Sequence, residues 1–341
     1  MIEKVLITGH KGYLGSVMTE TMLRNKFRVS GIDTNYFHQP LSRRGVTEQI
    51  KDIRDIAPAD LKGVYTVVHL AAIADDASSQ IVPETTAEIN LAATLKLANL
   101  AKQAGTERFI FSSTCSIYGN SPAGEMNKET SPTLPNSPYT IAKLEAEKKL
   151  ADMADESFAP VFLRNATVFG WSARNRFDSP VNNFTYHAAT EGMIKLLTDG
   201  QAWRPVVHVN DVARAFLLAL QAPKENVWNQ TFNVGANELN FRLVDIANAV
   251  LAAMSEGKVE TTPDKTAASS YTCDFSKIKA GLGFRAEWSL SRGLQHLLGE
   301  IRAAGNHQDI YNYNAGTMKQ LLSSGAIDSR FRWIKHALAD T

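Results

Sequence analysis

At 341 residues the chain is too long for one small module and suits one large domain or two lobes, on a prior of ~100–200 residues per domain. Hydrophobic residues at 44% against charged ones at 21% can bury a sizeable core and exclude the polar composition of disorder. With 36 Lys plus Arg against 35 Asp plus Glu, a net charge of +1 and no basic stripe, the sequence argues against nucleic acid as the main partner.

Short apolar runs at 5–7, 27–32, 64–70, 108–112 and 161–164 alternate with helically spaced segments at 16–25, 84–104 and 138–154. That order predicts βαβ units, a parallel sheet and an α/β fold. From about Trp171 the pattern loosens into a polar stretch (172–180), a helix-like segment and short strands at 194–197, 206–209 and 231–234. These read as inserted substrate-binding elements, with some strands and helices returning to the main sheet. Residues 305–341 read as a helical, charged tail. No stretch reaches the ~18 apolar residues of a membrane-spanning helix, so no membrane partner is expected. The opening MIEKVLITGHK lacks a signal peptide's apolar core, and two cysteines, Cys115 and Cys273, are too few for a disulfide framework. A cytoplasmic location is expected. The eight histidines show no metal-ligand spacing, so no metal is expected.

The first motif, VLITGHKGYLGS, runs an apolar strand through Gly9, Gly12 and Gly15 into a helix. Glycines allow a tight turn and let a pyrophosphate meet free backbone N–H groups at the helix N-terminus. Asp33 ends the next strand, eighteen residues after Gly15, near the ~20 at which a carboxylate meets the adenosine ribose hydroxyls. A carboxylate there repels a 2′-phosphate, which favours NAD over NADP. The second motif, Tyr139-Thr-Ile-Ala-Lys143, puts a phenol and an ammonium one helical turn apart. A neighbouring Lys⁺ favours the phenolate, so Tyr139 is a candidate to move a hydroxyl proton. It follows a strand ending in Ser112-Ser113-Thr114, at the sheet edge where open α/β folds bind ligands, and Thr114 is a candidate hydrogen-bond partner for the same hydroxyl.

The set TGHKGYLG, Asp33, DIRD, HLAA, Asn90, SSTCSIYG, YTIAK and RPVVHVNDVA resembles the extended short-chain dehydrogenase/reductases, the NAD-dependent nucleotide-sugar epimerases and dehydratases, over roughly residues 1–300. The resemblance implies a Rossmann-type doubly wound parallel sheet over 1–170 holding NAD, a smaller C-terminal substrate-binding lobe over 171–304, and a homodimer. It implies Tyr139 as base, Lys143 as ribose ligand and activator of Tyr139, and Thr114 as hydroxyl partner. Tyr13 and Leu14 fall within the glycine turn, Asp52 and Ile53 by the adenine, and Leu70, Ala71 and Ala72 beside the cofactor. Asn90 is implied as a structural or cofactor-side residue.

Dehydrating relatives carry Asp-Glu directly after the threonine, and decarboxylating ones keep the Glu. This chain has Cys115 and Ser116, which supply no carboxyl for general acid–base work. Cys115 reads first as a small buried residue and second as a substrate contact. Asn182, Asn183 and Arg204 match positions that meet the nucleotide diphosphate. Thr167, Arg174 and Arg176 are further substrate candidates, the arginines in a stretch like that of a branch acting in surface-polysaccharide pathways. Three positions depart from the pattern: Arg164-Asn165-Ala166-Thr167 for Arg-x-x-Asn, Trp171 for a proline, and Ser269 for an arginine. The expected function is epimerisation of a nucleotide-activated sugar by transient oxidation of a secondary alcohol, at C4. A nucleotide-sugar 4-dehydrogenase or ketoreductase is the alternative, and a nonenzymatic NAD-binding regulator a remote one.

Overall fold

In the computed structural model, residues 3–39, 44–121, 124–254, 257–261, 269–305 and 312–334 are described. The first apolar run forms β1 (Lys4–Thr8), whose Val5, Leu6 and Ile7 are buried on both faces, as a parallel strand covered by helices requires. The other strands are β2 (Arg28–Asp33), β3 (Val46–Ile50), β4 (Thr66–His69), β5 (Arg108–Thr114), β6 (Met126–Asn127), β7 (Ala159–Asn165), β8 (Thr167–Phe169), β9 (Met193–Leu196), β10 (Trp203–His208), β11 (Gln230–Val234), β12 (Asn240–Arg242), β13 (Lys258–Thr261) and β14 (Thr272–Cys273). Among the described residues the main sheet has seven strands in the order β11-β7-β5-β4-β1-β2-β3. Every neighbouring pair in it is parallel. The strand order reverses between β1 and β4, and that crevice is where an open doubly wound sheet receives its ligand.

Helices α1 (Tyr13–Arg24), α2 (Asp76–Ile81), α3 (Pro83–Ala87), α4 (Thr94–Gln103), α5 (Pro138–Ala151), α6 (Pro180–Glu191), α7 (Val209–Gln221), α8 (Lys224–Val227), α9 (Leu243–Met254), α10 (Ser276–Leu282), α11 (Leu290–Ala304) and α12 (Asn314–Ser323) complete the chain. Alternate strand residues feed two cores. Val5, Ile7, Val68 and Ile110 pack with Met18, Met22 and Phe216 on one face, and Leu6, Val67, Phe109 and Phe111 with Leu97 and Leu150 on the other. A third core, including Phe169, Phe184, Val206, Ile246 and Leu294, belongs to the later elements. β11 returns to the edge of the main sheet beside β7. In the segment read as a charged tail, Met318, Leu321, Ile327 and Phe331 join the second core, while 306–311 and 335–341 lie outside the described residues.

The long helical segment at 84–104 is not one α-helix: a π-helical turn, Glu88–Ala93, separates α3 from α4. Within it Asn90 accepts from Ile73 N at 2.9 Å and donates to Ile73 O at 2.9 Å, fastening the loop after β4.

Two buried histidines tie stability to pH. His69 lies between Thr8 Oγ1 (2.6 Å) and Thr94 Oγ1 (2.8 Å), and burial holds its imidazole well below the usual range. His208 stacks on Trp288 at 4.0 Å, and burial, then His296 and Arg292, push it down to about 3. Both are neutral when folded, so their contribution is complete above the unfolded value of ~6.5 and is lost as pH falls below it. Each removes about 1.4 kcal/mol per pH unit below that point. Urea unfolding of His208→Asn, which keeps an acceptor for the Asn210 N–H, should show the slope between pH 5.5 and 4.5 reduced by about 1.4 kcal/mol per unit. An unchanged slope would contradict a neutral buried His208.

Candidate active site

A cavity of about 780 Å³ opens at the carboxyl edge of the sheet, over the β1/β4 reversal. Its floor is the glycine turn. Gly9 adopts φ +74°, a left-handed conformation that favours glycine, and its N–H donates to Ile32 O at 2.8 Å. Gly12 is the N-cap of α1 without a side-chain cap, and a Cβ there would meet only Gly9 O, at 3.2 Å, with open space beyond. The turn therefore presents bare backbone N–H groups to the cavity. Asp33 lines it from the end of β2, its carboxylate fixed by Lys11 N at 3.0 Å and Asn35 N at 2.7 Å. Asp52 and Ile53 form the neighbouring wall, Asp52 paired with Arg54 at 2.6 Å. Tyr13, Leu14, Gly15, Leu70, Ala71 and Ala72 line it as well.

Three hydroxyl-bearing positions converge on the chemistry end. Thr114 closes β5, its Oγ1 2.5 Å from Ser116 Oγ and accepting from Ser116 N at 3.1 Å. Tyr139 sits in the first turn of α5, which starts on a Ser137 cap and Pro138; Ser137 Oγ in turn donates to Asp76. Thr114, Ser116 and Tyr139 all line the cavity. Burial pushes the Tyr139 phenol up to about 12, against the Arg176 guanidinium and the Thr114 hydroxyl, which pull it down. Lys143, one turn on, is 3% exposed and lies behind the wall. Its Nζ donates to Ser112 O at 2.8 Å and stands 4.5 Å from the Phe111 ring centroid, and burial lowers it to about 7. The sequence points to Lys143 as the cation beside the phenol; Arg176 lines the cavity with Tyr139, and its charge pulls the phenol down.

Arg176 faces the cavity with Asp178 at 2.9 Å and Asp75 at 3.7 Å. Thr167, Arg174 and Arg204 also line it, Arg204 with its guanidinium 5.3 Å from the Tyr271 ring centroid. Three expected substrate contacts stand elsewhere. Cys115 is fully buried behind the wall, its thiol donating to Arg164 O at 3.1 Å. Asn182 is buried in α6, accepting from Gly170 N at 2.8 Å and donating to Arg176 O at 3.0 Å, so it braces the loop that carries the arginines. Asn183 donates to Phe177 O at 2.8 Å. The reason is geometric: the two asparagines are consumed by the backbone of the loop before α6, and the thiol by the backbone of β7.

Sequence reading passed over two groups of wall residues. Asp75, Asp76 and Asp178 were visible as acidic residues beside motifs but carried no periodic signal. Tyr313, Asn314, Ala315, Gly316 and Met318 come from the C-terminal segment, where nothing local marks a site. Among the described residues no group of three or more His, Cys, Asp or Glu could hold a metal, and no helix is long and apolar enough to cross a membrane.

The residues present fit a dinucleotide. Besides the bare glycine turn, Ser113 Oγ and Asn165 Oδ1 are buried polar atoms without a protein partner, both on residues of the cavity wall. Such groups are costly to bury unless a ligand satisfies them.

A sequence profile of the NAD dependent epimerase/dehydratase family matches residues 5–235. The chain is 28% identical to a Bacillus subtilis protein named as an uncharacterized UDP-glucose epimerase, YtcB, over 85% of this chain and 95% of that one. It is similar to the structure of Thermus thermophilus UDP-glucose 4-epimerase in complex with NAD, at TM-score 0.79 and 27% identity, over 89% of this chain and all of the other. It also resembles Thermotoga maritima UDP-glucose 4-epimerase with UDP-glucose, at TM-score 0.80 and 27% identity, over 88% and 99%. A glycine turn at the switch point of a seven-stranded parallel sheet, and a family match over two thirds of the length, lead to one conclusion: the chain belongs to the NAD-dependent epimerase/dehydratase family, enzymes of the extended short-chain dehydrogenase/reductase type that use NAD.

Proposed function

We propose that the protein epimerises a nucleotide-activated sugar at a secondary alcohol, C4, with Tyr139 as general base. One observation carries the reading. The Thr114 hydroxyl and Tyr139 phenol face the cavity, while Asp75, Asp76 and Asp178 on the same wall are already bonded within the protein. Asp75 accepts from Asn314 Nδ2 at 2.7 Å and Ser78 Oγ at 2.9 Å, Asp76 from Ser137 Oγ, and Asp178 from Arg176 Nε at 2.9 Å and Asn314 N at 3.0 Å. Dehydration needs a free carboxyl to remove a carbon-bound proton, whereas alcohol oxidation with NAD as hydride acceptor needs only the hydroxyl–phenol pair for its proton.

In this reading Thr114 holds the sugar hydroxyl and Tyr139 takes its proton, with Arg176 opposing the burial that keeps the phenol protonated. Bound NAD supplies hydride acceptance and return, and a cationic ring at the reacting end. In the same reading Arg204, over Tyr271, meets the substrate diphosphate, its fork being suited to phosphate oxygens. Lys143 holds the end of β5 through Ser112 O. The epimerases among the relatives support the reaction type. A cytoplasmic homodimer acting in polysaccharide biosynthesis belongs to the same reading.

Proton NMR of the purified protein with catalytic NAD and a panel of nucleotide sugars, followed together with absorbance at the NADH band, tests it. A new diastereomer without accumulating NADH is the expected result. Stoichiometric NADH with a ketone would replace it with a 4-dehydrogenase.

A further inference from the structure

Two arginines of one loop differ in their partners. Arg176 is neutralised by Asp178 and Asp75. Arg174 is 2% exposed and makes no ion pair within 4 Å among the described residues, and its Nε is buried without a hydrogen-bond partner. Its guanidinium lies 3.6 Å from the Phe37 ring centroid and donates to Asn314 Oδ1, and the residue lines the cavity. Asp178, Asp75 and Asp33 act on it only from beyond ion-pair distance, and burying a guanidinium without a direct partner is expensive, so the arrangement favours an anion. Burial lowers its pKa to about 10, a shift that an anion at this place would reverse.

Location decides which anion. The loop that carries Arg174 is bolted to the start of α1: Ser172 Oγ donates to Tyr13 O at 2.7 Å and meets Ser16 Oγ at 2.7 Å, and Tyr13 OH donates to Gly170 O at 2.8 Å. Phe37 follows β2 by a few residues, close to Asp33. Arg174 therefore stands against Phe37, past the end of β2, on a loop tied to the start of α1, whereas Arg204 stands over Tyr271. We propose that Arg174 binds the pyrophosphate of the cofactor, and that Asn314, brought in by the C-terminal segment, is the positioning residue that aims it. Asn314 suits this role because it bridges Arg174 to Asp75 through Nδ2 while Asp178 fixes its backbone N–H. The proposal rests on NAD as cofactor and is independent of which sugar is turned over.

A diphosphate is common to NAD and to nucleotide sugars, so the test has two arms. Calorimetry on full-length Arg174→Gln should show NAD binding weakened ~30-fold, in the range for removing one partner of a buried charge pair, with UDP binding within twofold. Weakened UDP binding, alone or together with NAD, would move Arg174 to the substrate, and no change in either would remove it from both. Asn314→Ala, which retains the arginine, should weaken NAD ~5-fold without affecting adenosine. If neither variant folds, hydrogen exchange on the wild-type chain decides. NAD, and not UDP, should slow the amides of 312–323; equal slowing by both, or none by NAD, overturns the proposal.

Discussion

Tyr139→Phe is expected to lower kcat/KM by ~10²–10⁴-fold while NAD binds within a few-fold of the wild type. In the proposed reaction the phenol accepts the hydroxyl proton, and the ring itself is retained in phenylalanine. Steady-state kinetics with the sugar found by NMR, beside calorimetry with NAD, separates the outcomes. Turnover within tenfold of wild type would remove Tyr139 as base, and a nonenzymatic NAD-binding regulator would keep its function in this variant. The pH profile follows from the same group. With burial pushing the phenol up to about 12, the deprotonated base is scarce at neutral pH. Wild-type kcat/KM should therefore climb with pH, up to tenfold per unit, and be lost as pH falls.

Gly15→Ala should abolish measurable NAD binding, a loss of at least ~100-fold. Its Cβ would stand 1.9 Å from Gly9 O and 2.8 Å from the carbonyl carbons of Gly9 and His10. Each contact is backbone, so α1 must move away from the turn, and the N–H groups aimed at the pyrophosphate move with it. Calorimetry, with circular dichroism to confirm folding, measures this. A folded Gly15→Ala binding NAD like the wild type would show that the turn tolerates displacement. Gly12→Ala is the informative contrast, because its Cβ meets only Gly9 O at 3.2 Å and otherwise enters the space a ligand needs. It should fold and still bind NAD poorly.

Elements with a strong local pattern were legible. The strands buried on both faces, β1, β4, β5 and β7, appear as short apolar runs, and the three glycines and Y-x-x-x-K appear at fixed spacing. β3 escaped because VTEQI is an edge strand, largely exposed and mostly polar. The π turn in 84–104 escaped because it goes with a hydrogen bond between Asn90 and a residue seventeen positions away. Sequence spacing placed Tyr139 and Lys143 one turn apart, yet the lysine's direction depended on Ser112 O and the Phe111 ring, which only packing supplies.

By itself, then, the sequence determined the α/β alternation, the glycine turn, Asp33 at the end of β2, and Tyr139 and Lys143 one helical turn apart, because each lies within one element or one turn, where periods of two and 3.6 residues apply. Tertiary structure alone decided that Arg176 pairs with Asp178 and Asp75 at the cavity, that Asn182 and Cys115 face away from it, and that Asn314 meets Arg174 across 140 residues of chain. Those relations depend on how separate elements dock, and docking is set by buried area and by hydrogen-bond partners far apart in sequence, which no local spacing encodes.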